Sequence, residues 1–242
     1  MELIDEAEAN ALKEAAEDDK DPADAPPNHY TLRPGQVGKL VFISGAPGLG
    51  KSTTARRMME KEGFVYYEGD CFMSHKNPYL PAAENSAMDA LIAAKSLKGV
   101  PKERREIVKQ SMKEWGKVVK GEDYNLEEFY SIMCEDILKE RKRVGGDWAV
   151  AQAVPTRKLR DLIKSKLGPD LLFVVLDLDE DLHRERLSPR IKLVGEQRTK
   201  MWMNMKLRYE LAEDNEENAV DLKITREMEP DDVVAKIMKK LN

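Results

Sequence analysis

Short apolar runs that alternate with amphipathic segments form the main pattern of the chain. Runs rich in β-branched and aromatic residues occur at 39–44, 64–70, 147–154, 170–178 and 219–225. Such runs are typical of buried parallel strands, and the segments between them have helical periodicity. The sequence therefore predicts a three-layer α/β fold with a parallel sheet of about five strands and helices on both faces.

Helical patterns fill most of the chain between the predicted strands. Helices are predicted at 52–63, 156–168, 201–214 and 230–241, the first closed by a glycine. Residues 81–146 are also helical in pattern and separate the second strand from the third. An insertion of this length is typical of a helical, substrate-facing subdomain.

The N-terminal part of the chain differs in character from the rest. Residues 1–37 are acidic and run into a proline-rich stretch, which predicts an extension and linker without a regular core element. Residues 38–242 then form the predicted catalytic domain. Its length is within the range of one large domain.

Composition and charge narrow the function classes. Charged residues make up 35% of the 242 residues, yet the net charge is only -5 and no basic stripe stands out, so nucleic acid is not the expected partner. The sequence has no apolar run long enough for a membrane helix. Cys71 and Cys134 fit neither a disulfide framework nor zinc spacing, which favours a cytoplasmic protein. Assembly as a homodimer is left open.

The motif Gly-Ala-Pro-Gly-Leu-Gly-Lys-Ser follows the first strand and opens the first helix. It matches G-x-x-x-x-G-K-[ST], in which backbone N–H groups and the helix N-terminus surround a phosphate. Lys51 is predicted to bridge the outer phosphates of ATP, and Ser52 to supply a hydroxyl to Mg²⁺. The predicted nucleotide-binding residues are Gly45, Ala46, Pro47, Gly48, Leu49, Gly50, Lys51, Ser52 and Thr53.

The rest of the sequence distinguishes between classes of P-loop protein. A GTPase needs an Asn-Lys-x-Asp segment, which the sequence lacks. A motor or AAA-type ATPase usually carries acidic residues at the end of a later strand. The third predicted strand has none, and Asp177 and Asp179 after the fourth are also typical helix caps. A metabolite kinase instead needs a carboxylate after the second strand, where Asp70 stands, together with mobile arginines and a helical acceptor subdomain.

Several segments resemble the gluconate kinase family and, more loosely, the shikimate and nucleoside monophosphate kinases. The similar stretches are GAPGLGKST at 45–53, EGD at 68–70, AQAVPTRKLRDLI at 151–163, Arg186-Leu187-x-x-Arg190 at 186–190, and EPDDVVAKIMKKL at 229–241. The resemblance implies a P-loop kinase fold with a short arginine lid, placed here at residues 181–200. Since the lid and the insertion depart from the family pattern, the acceptor is left open.

Asp70 is predicted to orient the acceptor hydroxyl and to hold a water of Mg²⁺, so it is a catalytic, substrate-binding and metal-binding candidate. The resemblance implies that Arg160 grips the acceptor, and Arg157 lies one turn earlier on nearly the same helix face. Arg186 resembles a residue that stacks on adenine in related kinases. Arg190 is predicted to act in catalysis by neutralising charge at the phosphates, together with Lys51.

These expectations predict an ATP-dependent kinase that phosphorylates a hydroxyl of a small, anionic metabolite. Two alternatives remain open. One is a nucleoside monophosphate kinase, whose acceptor is a phosphate. The other is a nucleotide-binding regulator with little turnover, although a pure binder has no use for groups that stabilise a transition state.

Overall fold

The computed structural model describes residues 35–73 and 102–241. The predicted N-terminal extension and the first part of the predicted insertion therefore lie largely outside the described residues. The strands are β1 (Val37–Ser44), β2 (Val65–Glu68), β3 (Gly146–Ala151), β4 (Leu171–Leu178) and β5 (Ala219–Ile224). The helices are α1 (Lys51–Glu62), α2 (Arg105–Lys120), α3 (Glu127–Val144), α4 (Arg157–Leu167), α5 (Glu180–Val194), α6 (Glu196–Lys206) and α7 (Pro230–Leu241). Short 3-10 helices occupy Gly69–Met73 and Lys102–Arg104.

The five strands form one parallel sheet in the order β2-β3-β1-β4-β5. The central strand β1 pairs with β3 and β4, so that Phe42 lies between Val150 and Phe173. From Leu40 to Ser44 every residue of β1 is buried, as expected for a strand that is covered on both faces. The predicted parallel sheet of about five strands is confirmed.

Alternate residues of β1 contribute to different cores, because successive side chains of a strand point to opposite faces. Phe42 stacks on Phe173 and belongs to a core that includes Ile137 of α3 and further residues of α2 and α4. Val41 belongs to the other core, with Ile237 of α7 and residues of α1. The three-layer arrangement is therefore also confirmed.

A third, smaller cluster joins α5 and α6 to α2. Leu187, Trp202 and Met205 are buried together, and Trp115 of α2 packs against them. The methionine-rich segment around Trp202 is thus part of a helix core. Within the described ranges, no helix is both long and apolar enough to cross a lipid bilayer.

Two elements differ from the sequence predictions. The helix predicted at 201–214 begins earlier and ends at Lys206, and the chain from 207 onward continues without a helix until β5. This segment is held instead by tertiary contacts, since the Glu210 N–H donates to the Pro155 carbonyl and Arg160 reaches across to it. The helix α3, predicted as part of an insertion, packs directly on the sheet as one of its covering helices.

Candidate active site

The candidate site lies at the carboxyl edge of the sheet, beside the ends of β1 and β3. From β1 the chain runs through α1 to β2 at one end of the sheet, whereas from β3 it runs through α4 to β4 on the other side. Connections that leave neighbouring strands in opposite directions open a crevice at this edge, which is where ligands bind in such sheets.

The loop from Gly45 to Ser52 joins β1 to α1 at this crevice, so the strand, loop and helix that the motif requires are present. Gly50 precedes the helix in a left-handed conformation, with φ 95°, and its carbonyl accepts the first helical hydrogen bond from Thr54, at 2.8 Å. Gly48 is also left-handed, and a Cβ built on it would lie 2.6 Å from Leu187 Cδ2. Glycine is therefore required at both positions, and the loop fits a phosphate at the helix N-terminus.

Lys51 is half-buried, and its Nζ donates to the Ala46 carbonyl at 3.0 Å. The ammonium group thus folds back over the loop rather than extending into solvent. Ser52 is half-buried as well, in the first turn of α1. Both side chains lie where the motif needs them to contact a phosphate and its cation.

Asp70 follows β2 in the short helix Gly69–Met73 and is half-buried. Burial and the neighbouring Glu68 carboxylate raise the pKa of Asp70 to about 7, although Lys51 and a hydrogen bond from Gln152 act in the opposite direction. Glu68 is buried and accepts a hydrogen bond from the Tyr66 hydroxyl. Asp70 therefore lies within the field of Lys51, and its pKa is shifted close to neutral pH.

The donor groups at this edge fit Mg²⁺. A divalent cation would reduce the repulsion between the carboxylates of Asp70 and Glu68. Ser52 adds a hydroxyl oxygen as a further ligand for the cation. In the part of the chain that the structure describes, no group of three or more His, Cys, Asp or Glu side chains could hold a metal alone. Ser52 and Asp70 are thus the candidates for a cation that takes its remaining ligands from phosphate and water.

Two tyrosines near Asp70 were missed by sequence reasoning. Tyr130 of α3 donates its hydroxyl hydrogen to the Ala153 carbonyl, just after β3. The hydroxyl oxygen of Tyr209 is buried and has no hydrogen-bond partner among the described residues. Burial raises the pKa values of both, Asp70 and Tyr124 raise both further, and Tyr209 also raises the pKa of Tyr130. No sequence signal separates them from ordinary core tyrosines, because both come from segments distant in the chain.

The predicted lid, residues 181–200, spans α5 and the first part of α6, and its arginine candidates Arg184, Arg186 and Arg190 lie in α5. Arg186 is half-buried, and its Nη1 lies 3.8 Å from the position that a Cβ on Gly50 would occupy. Arg186 therefore reaches the phosphate-binding loop. Arg184 is exposed and pairs with Glu180 within the helix, at 2.7 Å. Arg190 belongs to the same helix, but its side chain lies outside the described part of the structure.

Arg160 is paired with other groups inside the protein. It is fully buried, its Nη2 lies 2.6 Å from Glu216, and the guanidinium also donates to the carbonyls of Glu210 and Leu211. In this structure it anchors the segment after α6, in place of the acceptor contact that the resemblance implied. The sequence could not reveal this pairing, because Glu216 lies 56 residues away in the chain and becomes a buried partner only after folding.

Arg157 is more exposed than Arg160, at 34% of its side chain, and pairs with Glu213 and with Asp161. It lies at the start of α4, after the loop that follows β3. Its pairs are at the surface, where an ion pair contributes little and is easily exchanged. Arg157 therefore stays a candidate for contact with the acceptor.

The carboxylates at the end of β4 are paired with lysines. Asp177 lies 3.0 Å from Lys206 Nζ, and Asp179 lies 2.8 Å from Lys223 Nζ. Lys206 also donates to the Leu178 carbonyl. These contacts occupy the two acidic residues that sequence reasoning considered as helix caps or metal ligands.

A parallel α/β sheet with this loop between its central strand and first helix defines a P-loop domain. The protein family described as AAA domain matches residues 41–216, which is more than half of the chain. The chain therefore belongs to this family. No curated protein sequence matches it significantly.

Small-molecule kinases are among the solved structures with a similar fold. A gluconokinase from Sinorhizobium meliloti 1021 has a TM-score of 0.52 at 18% identity, covering 86% of this chain and 93% of that chain. An APS kinase from Mycobacterium tuberculosis has a TM-score of 0.48 at 16% identity, covering 85% and 98%. A shikimate kinase from Aquifex aeolicus has a TM-score of 0.39 at 15% identity, covering 83% and 94%. The P-loop kinase fold implied by the sequence resemblance is confirmed.

Proposed function

We propose that the protein transfers the γ-phosphoryl group of ATP to a hydroxyl of a small, anionic metabolite. The observation that carries this proposal is the position of Asp70 at the same sheet edge as the P-loop, within the field of Lys51 and with a pKa of about 7. A hydroxyl acceptor needs such a carboxylate to orient it and to accept its proton, whereas a simple nucleotide binder does not.

The residues of the site have separate roles in this proposal. The loop from Gly45 to Ser52 binds the phosphates through backbone N–H groups. Lys51 places a positive charge where negative charge develops on the transferred phosphoryl group. Asp70 hydrogen-bonds the acceptor hydroxyl in line with the γ-phosphorus. Arg186 brings a cationic group from α5 to the nucleotide, and Arg190 of the same helix keeps its predicted role of neutralising charge at the phosphates. When bound, Mg²⁺ would neutralise charge on the phosphate oxygens and be held by Ser52 and a water on Asp70.

The anionic character of the acceptor has its own support. It rests on the resemblance to gluconate kinases and on Arg157, because Arg160 is committed to Glu216. The same commitment weighs against a nucleoside monophosphate kinase, which needs an arginine cluster for the acceptor phosphate. A hydroxyl acceptor remains the better match to Asp70.

The test is a screen for acceptor-dependent ADP release. The full chain is incubated with ATP, Mg²⁺ and, in separate reactions, sugar acids, shikimate-like polyols and nucleoside monophosphates. We expect one of the first two classes to raise ADP release well above the rate without acceptor, and Asp70→Asn to abolish the increase. Stimulation by a nucleoside monophosphate alone would favour the monophosphate kinase, and ADP release that no acceptor changes would refute transfer to a metabolite.

A further inference from the structure

One face of α5 packs directly on the phosphate-binding loop. His183, Arg186 and Leu187 are spaced by three and four residues, which places them on the same side of a helix. Leu187 covers Gly48, where an added Cβ would lie 2.6 Å from its Cδ2, and Arg186 lies near Gly50. His183 contacts the loop next to Gly48, at Pro47. The loop is therefore bounded by a helix that is distant in sequence.

The contact of His183 is a short hydrogen bond. Its Nε2 lies 2.7 Å from the carbonyl oxygen of Pro47, 136 residues away in the chain. A carbonyl oxygen can only accept, so Nε2 carries the proton. Nδ1 then has a lone pair, and this atom is buried without a hydrogen-bond partner among the described residues.

Burial lowers the pKa of His183, and Lys206 and Lys51 lower it further, whereas Pro47 and Asp177 act in the opposite direction. The ring is thus a neutral donor at pH 7. A buried polar atom without a partner is unfavourable, and an apolar side chain would fill the same space without that cost. The hydrogen bond to Pro47 is the contribution that an apolar side chain could not make.

We propose that His183 is a positioning residue of the nucleotide site, which holds the Pro47–Gly48 peptide in the orientation that binds phosphate. In a planar trans peptide the C=O and the following N–H point in opposite directions, and the described residues contain no cis peptide. Fixing the Pro47 carbonyl toward His183 therefore directs the Gly48 N–H away from α5. That N–H then belongs to the set that the loop offers to an anion.

Gly48 explains why such a restraint is needed. A glycine with φ 86° is also free to adopt conformations with negative φ, so the peptide before it can rotate at little cost. A rotated peptide would present a carbonyl oxygen, instead of an N–H, to the phosphate. His183 holds the peptide on one side, and Leu187 restricts the space around Gly48 itself.

This inference rests on the proposed nucleotide site but not on the identity of the acceptor, so it is tested by binding. The dissociation constants of ATP and of adenosine are measured by calorimetry for wild type, His183→Leu and His183→Gln. Leucine fills the space without a donor, while the glutamine amide can place an N–H near the position of Nε2. The matched control is Ser188→Ala, an exposed position on the same helix.

We expect His183→Leu to weaken ATP binding by about tenfold, the effect of one lost hydrogen bond and a less ordered loop. Adenosine affinity should change little, because it lacks phosphates. His183→Gln should recover most of the ATP affinity, and Ser188→Ala should match wild type. Equal ATP affinity of wild type and His183→Leu would overturn the inference alone, whereas a wild-type chain that binds no ATP would overturn the proposed nucleotide site with it.

A measurement on the wild-type protein covers the case in which His183→Leu does not fold. The ¹⁵N spectrum of the histidine rings reports which nitrogen carries the proton, and the His183 signals are assigned from the glutamine variant. We expect a neutral ring protonated at Nε2 at pH 7. Protonation at Nδ1 would contradict the hydrogen bond to Pro47 and the inference built on it.

Discussion

Replacing Asp70 with asparagine is expected to stabilise the ligand-free protein at alkaline pH while removing its activity. The two side chains are nearly isosteric, and the asparagine oxygen can still accept the hydrogen bond from Gln152. The change removes a charge that burial and Glu68 disfavour. A residue retained for phosphoryl transfer can thus be costly to the folded state.

The expected size follows from the pKa. A rise from 3.8 to about 7 corresponds to at most roughly 4 kcal/mol, at about 1.4 kcal/mol per pKa unit. Between these values the unfolded chain has lost a proton that the folded protein keeps, so the free energy of unfolding of wild type falls as the pH rises through this window. Asparagine does not titrate. Solvent screening of the exposed part of Asp70 reduces this effect. The free energy of unfolding of the variant, relative to wild type, should therefore grow by roughly 2 kcal/mol between about pH 5 and pH 8.5.

Urea unfolding of both proteins at these two pH values, with EDTA present, measures the difference directly. Titrating groups that do not interact with residue 70 cancel, because they are common to both chains. Asp181→Asn, at an exposed position of α5, is the control and should show no growing difference. An Asp70→Asn protein that is less stable than wild type at pH 8.5, or whose advantage is independent of pH, would refute the reasoning. With an acceptor from the screen, the same variant should lose about 10²–10⁴-fold in kcat while ATP affinity, measured by titration, is largely kept.

Three further outcomes are expected. Lys51→Ala and Ser52→Ala should each lower ATP turnover at least about 10²-fold. A folded variant with unchanged turnover would contradict the assignment of the phosphate-binding loop. Arg160→Met should lower the free energy of unfolding by about 3–5 kcal/mol, because it leaves the carboxylate of Glu216 buried without its main partner. Denaturation of Arg160→Met/Glu216→Leu checks the cause, since removing both charges should restore most of the loss. Deleting residues 1–34 should leave kcat unchanged, because the sequence predicts a proline-rich linker between them and the catalytic domain. A large fall in kcat would show that they reach the site.

Local patterns predicted most of the fold. The predicted apolar runs form the strands, and Gly63 caps the end of α1, as the sequence indicates. Both were predictable because strand periodicity and helix caps depend on neighbouring residues. The P-loop is the same kind of signal, since its eight residues carry the turn, the lysine and the hydroxyl together. Asp70 was predicted to follow the second strand, and it does.

What the sequence by itself determined is therefore the parallel α/β fold and the phosphate loop, whose physical requirements are met within short stretches of chain. The tertiary structure alone decided which distant side chains meet. Arg160 became the buried partner of Glu216, and His183 was brought to Pro47 by the packing of α5. Such contacts depend on how helices and strands are arranged around the sheet, and no local pattern encodes the partner of a residue more than fifty positions away.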